Sequence, residues 1–253
     1  MTADPTLLAY AALAYAASGW PVFPCLPDAK APHGRLVPRG CKDATTDLDK
    51  LAGWWRSCPD ANVAIATGAP GPDVVDIDTK HGAPGMESLA RLRRAGLLAG
   101  ACRLVATPSG GVHLYYAGTT QTNASLRRHG VDFRSRGGYV IAAPSTVAGV
   151  EYQVTDIRPL GPPVDFGRIR RFLDPPTPAP PADVRRGSAA GLARWLAGVP
   201  EGGRNNALYW ACRRAVEEGH DLAPLVAAAV AAGLPELEAH RTAASARRTG
   251  AHS

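Results

Sequence analysis

Apolar and polar positions along the chain switch repeatedly between a helical and a strand-like period. Residues 5–18 (PTLLAYAALAYAAS) read as a helix that stops at Gly19, and the segment WPVFPC reads as a strand directly after it. Asp4 followed by Pro5 is a helix start, with the aspartate as N-cap and the proline at the first helical position. Residues 47–57 (DLDKLAGWWRS) form a second helix, capped by Thr46 or Asp47. Strands follow at NVAIAT and DVVDID, then a helix at GMESLARLRRAG. After it come RLVAT, VHLYYA, VDFRS, GYVIAA and EYQV, a run of short β-type segments. The pattern predicts a mixed α/β (α+β) domain whose later part is antiparallel.

The prolines of DPPTPAPPAD, beginning at Asp174, continue neither a helix nor a central strand and favour an extended spacer. Beyond them SAAGLARWLAGV, GRNNALYWACRRAVEEG, LAPLVAAAVAAG and PELEAHRTAASARR are helical, each ending near Gly or Pro. We therefore expect an α/β domain over 1–173, a proline-rich linker over 174–186 and a small C-terminal helical bundle over 187–253. A bundle of about 65 residues is near the lower limit for independent stability.

One strand breaks the apolar rule. In DVVDIDT, Asp76 and Asp78 share a face and Ile77 takes the other. Two carboxylates about 6 to 7 Å apart on one strand face repel unless a cation accompanies them. Magnesium suits such a pair, because it takes one or two carboxylates and completes its shell with water and substrate phosphates. The plainer reading makes one carboxylate the cap of the turn at Thr79–Gly82.

Two further segments carry chemistry. In TPSGGVHLYY, Gly110 and Gly111 permit a tight turn or a ligand close to the backbone, and His113 opens the next strand as a structural residue or a phosphate donor. RRHGVDFRSRGGYVIAAPS places Asp132 and Arg134 on one strand face and turns Phe133 inward. That pair is either a surface ion pair worth little or a third metal carboxylate beside a phosphate-binding guanidinium. Three carboxylates hold two divalent ions in the manner of in-line phosphoryl transfer.

Composition narrows the field. With 45% hydrophobic and 20% charged residues the chain is globular, and no apolar run approaches the roughly 20 residues of a membrane helix. The N-terminal apolar stretch follows the acidic Met1-Thr2-Ala3-Asp4 rather than a basic leader, so a cytoplasmic protein is expected. Five scattered cysteines without a C-x-x-C pair support neither a zinc site nor a disulfide framework. The net charge of +6 is carried mostly by arginine, which suits bidentate phosphate contacts.

In order and spacing, AYAASGWPVFPC, ATTDLDKLAGWW, NVAIATG, VVDID, TPSGGVHLYY, GVDFRSRGGYVIAAPS and YQV resemble the bifunctional primase/polymerase (prim-pol) domain of the archaeo-eukaryotic primase superfamily, over roughly residues 8–173. The resemblance implies a primase-type catalytic core with an antiparallel sheet like that of an RNA-recognition motif, fused to a small α/β module. It implies template-directed phosphodiester synthesis from nucleoside triphosphates on single-stranded DNA. Asp76, Asp78 and Asp132 match the acidic triad that holds two magnesium or manganese ions, and His113 matches the nucleotide-contacting histidine. Lys30, Arg134 and the Ser109-Gly110-Gly111 turn complete the expected nucleotide contacts, although Lys30 also reads as a solvated loop charge. Arg127, Arg128, Arg136, Arg204 and Asn205 are the candidate template contacts, Asn205 or Asn206 serving otherwise as a helix cap. Trp54 and Trp55 read as core.

The chain departs from some relatives in lacking ligands for an inserted zinc element and in having no G-x-x-x-x-G-K-[ST] phosphate loop. A replicative helicase acting in trans is therefore a candidate partner. Two other classes use the same residues: a two-metal nuclease, which needs no triphosphate site, and a non-catalytic replication-initiation module that binds DNA.

Overall fold

Asp4 accepts the Thr6 N–H at 2.8 Å and Pro5 takes the first helical position, so α1 (Pro5–Ala17) starts where its capping residues dictate. The computed structural model describes residues 4–175, 189–200 and 203–250. Contacts divide it into two compact units, Met1–Ile169 and Arg170–Ser253. The linker expected at 174–186 falls, beyond residue 175, outside the described residues.

The first unit continues with β1 (Val22–Cys25), α2 (Leu48–Ser57), β2 (Asn62–Ala66), β3 (Asp73–Ile77), α3 (Gly85–Arg94), β4 (Arg103–Ala106) and β5 (Val112–Tyr116). Then come β6 (Ala124–Leu126), β7 (Val131–Arg134), β8 (Tyr139–Ile141), β9 (Thr146–Val147), β10 (Val150–Glu151), β11 (Gln153–Ile157) and the start of α4 (Phe166–Leu173), whose residues after Ile169 fall in the second unit. Asp47, one of the two expected caps, accepts the Lys50 N–H at 3.1 Å and starts α2.

Two antiparallel sheets and a two-stranded ribbon, β10-β9, organise this unit. The smaller has the order β1-β2-β8 and the larger β11-β4-β5-β3-β7-β6. The fold is thus mixed α/β, with antiparallel pairing throughout the named strands. Leu8 and Ala12 of α1, Leu51, Trp54 and Trp55 of α2, and the small sheet share one core with Val74, Val105 and Tyr115 of the large sheet. Those three residues lie on one face of the large sheet, so the small sheet covers part of that face. The opposite face is closed by helices: Phe133 of β7 stacks on Phe166 of α4 with ring centroids 4.6 Å apart, and α3 lies against β3.

Three features were not expected from the pattern. β6 is three residues long and α4 eight, both below the length at which periodicity is decisive. The segment EYQV is not one strand. β10 pairs with β9 and β11 with β4, so the chain changes sheets at Tyr152, whose ring is buried at the crossover.

The second unit holds α5 (Ala189–Ala197), α6 (Arg204–Glu217), α7 (Ala223–Ala231) and α8 (Glu236–Gly250) around a core that includes Leu192, Leu208, Ala211, Leu225 and Ala239. Among the described residues no helix is long and apolar enough to cross a membrane.

Phe133 is fully buried between the site-bearing sheet and α4. Phe133→Ala should cost about 3–5 kcal/mol through lost burial and a residual cavity. Urea unfolding of the intact chain, followed on the β signal in circular dichroism, measures this. A loss below about 1 kcal/mol would show that the Phe133–Phe166 contact is not central to the core.

Candidate active site

Strand register decides what surrounds Asp76. On one side β3 pairs antiparallel with β5, which sets Asp76 against His113. On the other it pairs with β7, which sets Asp76 against Asp132. Residues directly opposite in an antiparallel pair share a face. A single row therefore crosses the sheet as Val154, Val105, His113, Asp76, Asp132 and Ser125. The next row along carries Tyr115, Val74 and Arg134.

Asp76 and His113 of this row line a cleft of about 370 Å³ between the two sheets, and Asp132 stands next to Asp76 outside that lining. The large sheet contributes Asp76, His113 and Arg134 to it, and the small sheet Tyr139, Val140 and Ile141. Lys30 enters from the loop after β1, and Tyr152 closes the inner end beside His113 with ring centroids 5.5 Å apart.

The electrostatics follow from that packing. The Asp76 carboxyl is pushed up to about 6, first by burial and then by the facing Asp132 carboxylate; Arg134 and Lys30 oppose the shift and Asp78 adds to it. His113 is driven down to about 3 by burial and by Lys30 and Arg134, so its imidazole is neutral at physiological pH. Its Nε2 lies 3.5 Å from Asp76 Oδ1, a contact between a neutral ring and a carboxylate rather than an ion pair. Its Nδ1 is buried without a hydrogen-bond partner. Burial also lowers the Lys30 ammonium, as does the nearby Lys80, while Asp76 and Asp78 hold it up.

Asp78 lies just past the strand. Its N–H donates to Gly130 O at 2.8 Å, and its Oδ1 accepts the Lys80 N–H at 2.9 Å. The turn-capping reading of one carboxylate therefore holds for Asp78, beside any other role. Asp132 Oδ2 accepts from Arg134 at 2.7 Å, a pair whose two side chains are part-exposed.

The Ser109-Gly110-Gly111 turn is built for itself. Ser109 O accepts the Thr79 hydroxyl at 2.7 Å, Gly111 N donates to Thr107 Oγ1 at 3.1 Å, and Gly110 takes φ +81°. A side chain on residue 111 would sit 2.1 Å from Ile77 O, so the second glycine serves close strand packing. These three residues do not line the cleft.

Arg127 and Arg128 occupy an exposed 3-10 turn after β6, and Arg136 is exposed beyond β7. In the second unit Arg204 Nε donates to Val199 O at 3.3 Å, and Asn205 accepts from Thr242, tying α6 to α8. Neither Asn205 nor Asn206 caps α6: the N-cap is Gly203, which has no side chain to offer.

Among the described residues no three His, Cys, Asp or Glu side chains gather as a ready metal shell. The donor chemistry nevertheless suits a hard cation. Asp76 and Asp132 face each other, and their mutual repulsion raises Asp76, a cost that a divalent ion between or before them would relieve. Sequence reasoning missed Tyr139 and Tyr152 as cleft walls. Both sit in strand-like segments whose alternation says nothing about which sheet they face.

The raised Asp76 carboxyl has a sign that can be measured. Its folded value exceeds its ordinary one, so ionised Asp76 destabilises the fold above about pH 6, and the penalty fades as pH falls toward the ordinary carboxylate range. Asp76→Asn should raise Tm by roughly 5 °C at pH 8 without divalent ions, with the gain vanishing near pH 4. Equal melting of the two proteins at pH 8 would contradict this electrostatic account.

Comparison with curated proteins returns no match. Comparison with protein families does: the model described as bifunctional DNA primase/polymerase, N-terminal (Prim-Pol), matches residues 12–182, which is more than half of the chain and spans both walls of the cleft. The aspartates of β3 and β7, the buried His113 of β5 and the lysine facing them all fall inside that match. On this evidence the chain belongs to the family of bifunctional DNA primase/polymerase N-terminal domains.

Proposed function

We propose that the chain catalyses template-directed nucleotidyl transfer on single-stranded DNA, as primer synthesis, DNA polymerisation or both. Membership of the family implies a nucleotidyltransferase. The finer reading is carried by one observation: Asp76 stands between His113 and Asp132 in a single row, and with His113 it lines a cleft that Lys30 and Arg134 line as well. On this reading the six-stranded sheet is the primase-type core resembling an RNA-recognition motif, and the three-stranded sheet with α1 and α2 is the small α/β module.

Asp76 and Asp132, with Asp78 at the strand end, would hold magnesium or manganese. Bound there, the ions supply activation of the attacking 3′-hydroxyl and neutralisation of the triphosphate and departing pyrophosphate. The protein's own side chains do the positioning. Lys30 and Arg134 offer cationic donors to the phosphates from opposite walls of the cleft. His113 is neutral and buried, so it orients a phosphate oxygen by hydrogen bonding and adds no net charge. Tyr139, Val140 and Ile141 make the less polar wall, against which the sugar or base lies. In the transfer the hydroxyl oxygen gives up its proton to solvent and forms a bond to the α-phosphorus, while the bond from that phosphorus to the bridging oxygen breaks, releasing pyrophosphate. The exposed arginines 127, 128 and 136 would lie along the template phosphates, which makes template binding salt-dependent. A replicative helicase acting in trans is a candidate partner on this reading.

The test is synthesis on single-stranded DNA from labelled nucleotides with magnesium or manganese, with and without a supplied primer. Asp76→Ala should lose about 100-fold or more of the activity while still binding template. Lys30→Ala should raise the KM for nucleotide about tenfold with a smaller change in kcat. Undiminished synthesis by Asp76→Ala would remove the assignment, and shortening of the template in place of extension would make the protein a nuclease.

A further inference from the structure

We propose that α6 carries a stacking seat for an unpaired base of a nucleic-acid strand, built on Trp210 and framed by Arg213, Arg214 and Glu217. The identity of the strand as DNA template rests on the function proposed above; the seat itself does not.

One face of α6 is core, with Ala207, Leu208, Ala211, Cys212 and Ala215 buried. The other repeats at helical spacing as Asn206, Trp210, Arg213, Arg214 and Glu217. Of the five tryptophans Trp210 is the exposed one, at 36%. It is not loose. Trp195 of α5 meets it edge to face, with centroids 5.7 Å apart and planes at 74°. That contact fixes the ring while leaving part of it open.

A hollow of about 390 Å³ lies beside it, lined by Tyr209, Trp210, Arg213, Arg214 and Glu217. The guanidinium groups in the hollow are already oriented. Arg213 lies 3.4 Å from Glu217 Oε1, and Arg214 reaches Glu217 at 3.6 Å and Glu218 at 2.7 Å. Arg214 Nε is buried without a hydrogen-bond partner.

This balance of charge selects the ligand. Arg213 is paired with Glu217, and Arg214 with Glu217 and with Glu218 outside the hollow, so the charge of both is offset and a phosphate is not what the hollow fits. An indole face, planar guanidinium groups and a carboxylate that accepts from exocyclic amino groups together match a nucleobase. Such a base must be unstacked to offer its face, which points to a single strand. Stacking of this kind tolerates sequence and is worth about 1–3 kcal/mol per base.

The experiment measures binding of the full chain to a labelled mixed-sequence single-stranded DNA 20-mer by fluorescence anisotropy, without nucleotides or divalent ions. Trp210→Ala should weaken binding roughly tenfold and leave the salt slope unchanged, because no phosphate contact is lost. Trp210→Phe should retain most of the affinity, which separates loss of the aromatic face from loss of folding. Duplex DNA of the same sequence should not distinguish the variants. Wild-type affinity in Trp210→Ala, a change confined to the salt slope, or equal loss on duplex would each overturn the proposal. So would a Trp210 fluorescence response to free nucleoside triphosphate but not to the strand. If Trp210→Ala weakens binding while the parent makes no product, the seat stands and the synthetic function falls. If the parent synthesises and Trp210→Ala binds like it, only the seat falls.

Discussion

The repulsion between Asp76 and Asp132 is the constraint around which the first unit is arranged. Paired antiparallel strands hold the two residues directly opposite each other. Like charges in that position destabilise a sheet, and burial of Asp76 makes the cost larger. A fold selected for stability alone would place an apolar residue at one of these positions. The neighbouring rows show that the sheet accommodates them, since Val74 and Val75 on the same strand are fully buried. The cost is offset around the site by Arg134 and Lys30, which supply the cationic side of the cleft.

The rest of β3 is organised to keep that pair in register. Asp73, at the start of the strand, is wholly buried and accepts from Ser135 and Thr119, each at 2.6 Å. Those bonds tie β3 to the chain just beyond β7 and to the loop after β5. Below the strand, the stacked Phe133 and Phe166 close the core. At its end, Asp78 caps the turn while Thr79 fastens the neighbouring hairpin. Three aspartates on one short segment thus do different work according to burial and partners: Asp73 is structural, Asp76 faces the cleft, and Asp78 serves the turn at the cleft's edge.

Much of this was legible in the chain. Capping at Asp4 and Asp47 located the first two helices, and alternation located β3, β5 and β7, because each of these signals acts over a few residues. The alternation of DVVDID also put Asp76 out of the apolar core. What alternation does not carry is pairing. That Asp76 meets Asp132 and His113 depends on contacts far apart in sequence: the chemistry of three carboxylates and the family resemblance grouped these residues, but neither says which strands pair. The same limit hid Tyr152, which sits where the chain leaves the β9–β10 ribbon for the large sheet. Asn205 and Asn206 read as helix caps by residue type and position, yet the Asn205 amide oxygen accepts from Thr242 of α8 and Gly203 is the N-cap. The glycines of the Ser109–Gly111 segment suggested a tight turn or backbone approach by a ligand; the structure forms the turn, and the close neighbour of Gly111 is the carbonyl of Ile77.

If the facing carboxylates are the seat of a divalent cation, metal binding and their charge must be inseparable. The most direct measurement is a manganese titration of the full chain, with free ion read by electron paramagnetic resonance in the presence of a nucleoside triphosphate. We expect saturable binding by the parent and at least a tenfold loss in both Asp76→Asn and Asp132→Asn, removal of a single charged ligand being a large fraction of a two-carboxylate site. Manganese binding by both variants at the parent's affinity would show that the pair serves something other than a cation, and the account of the cleft would fail with it.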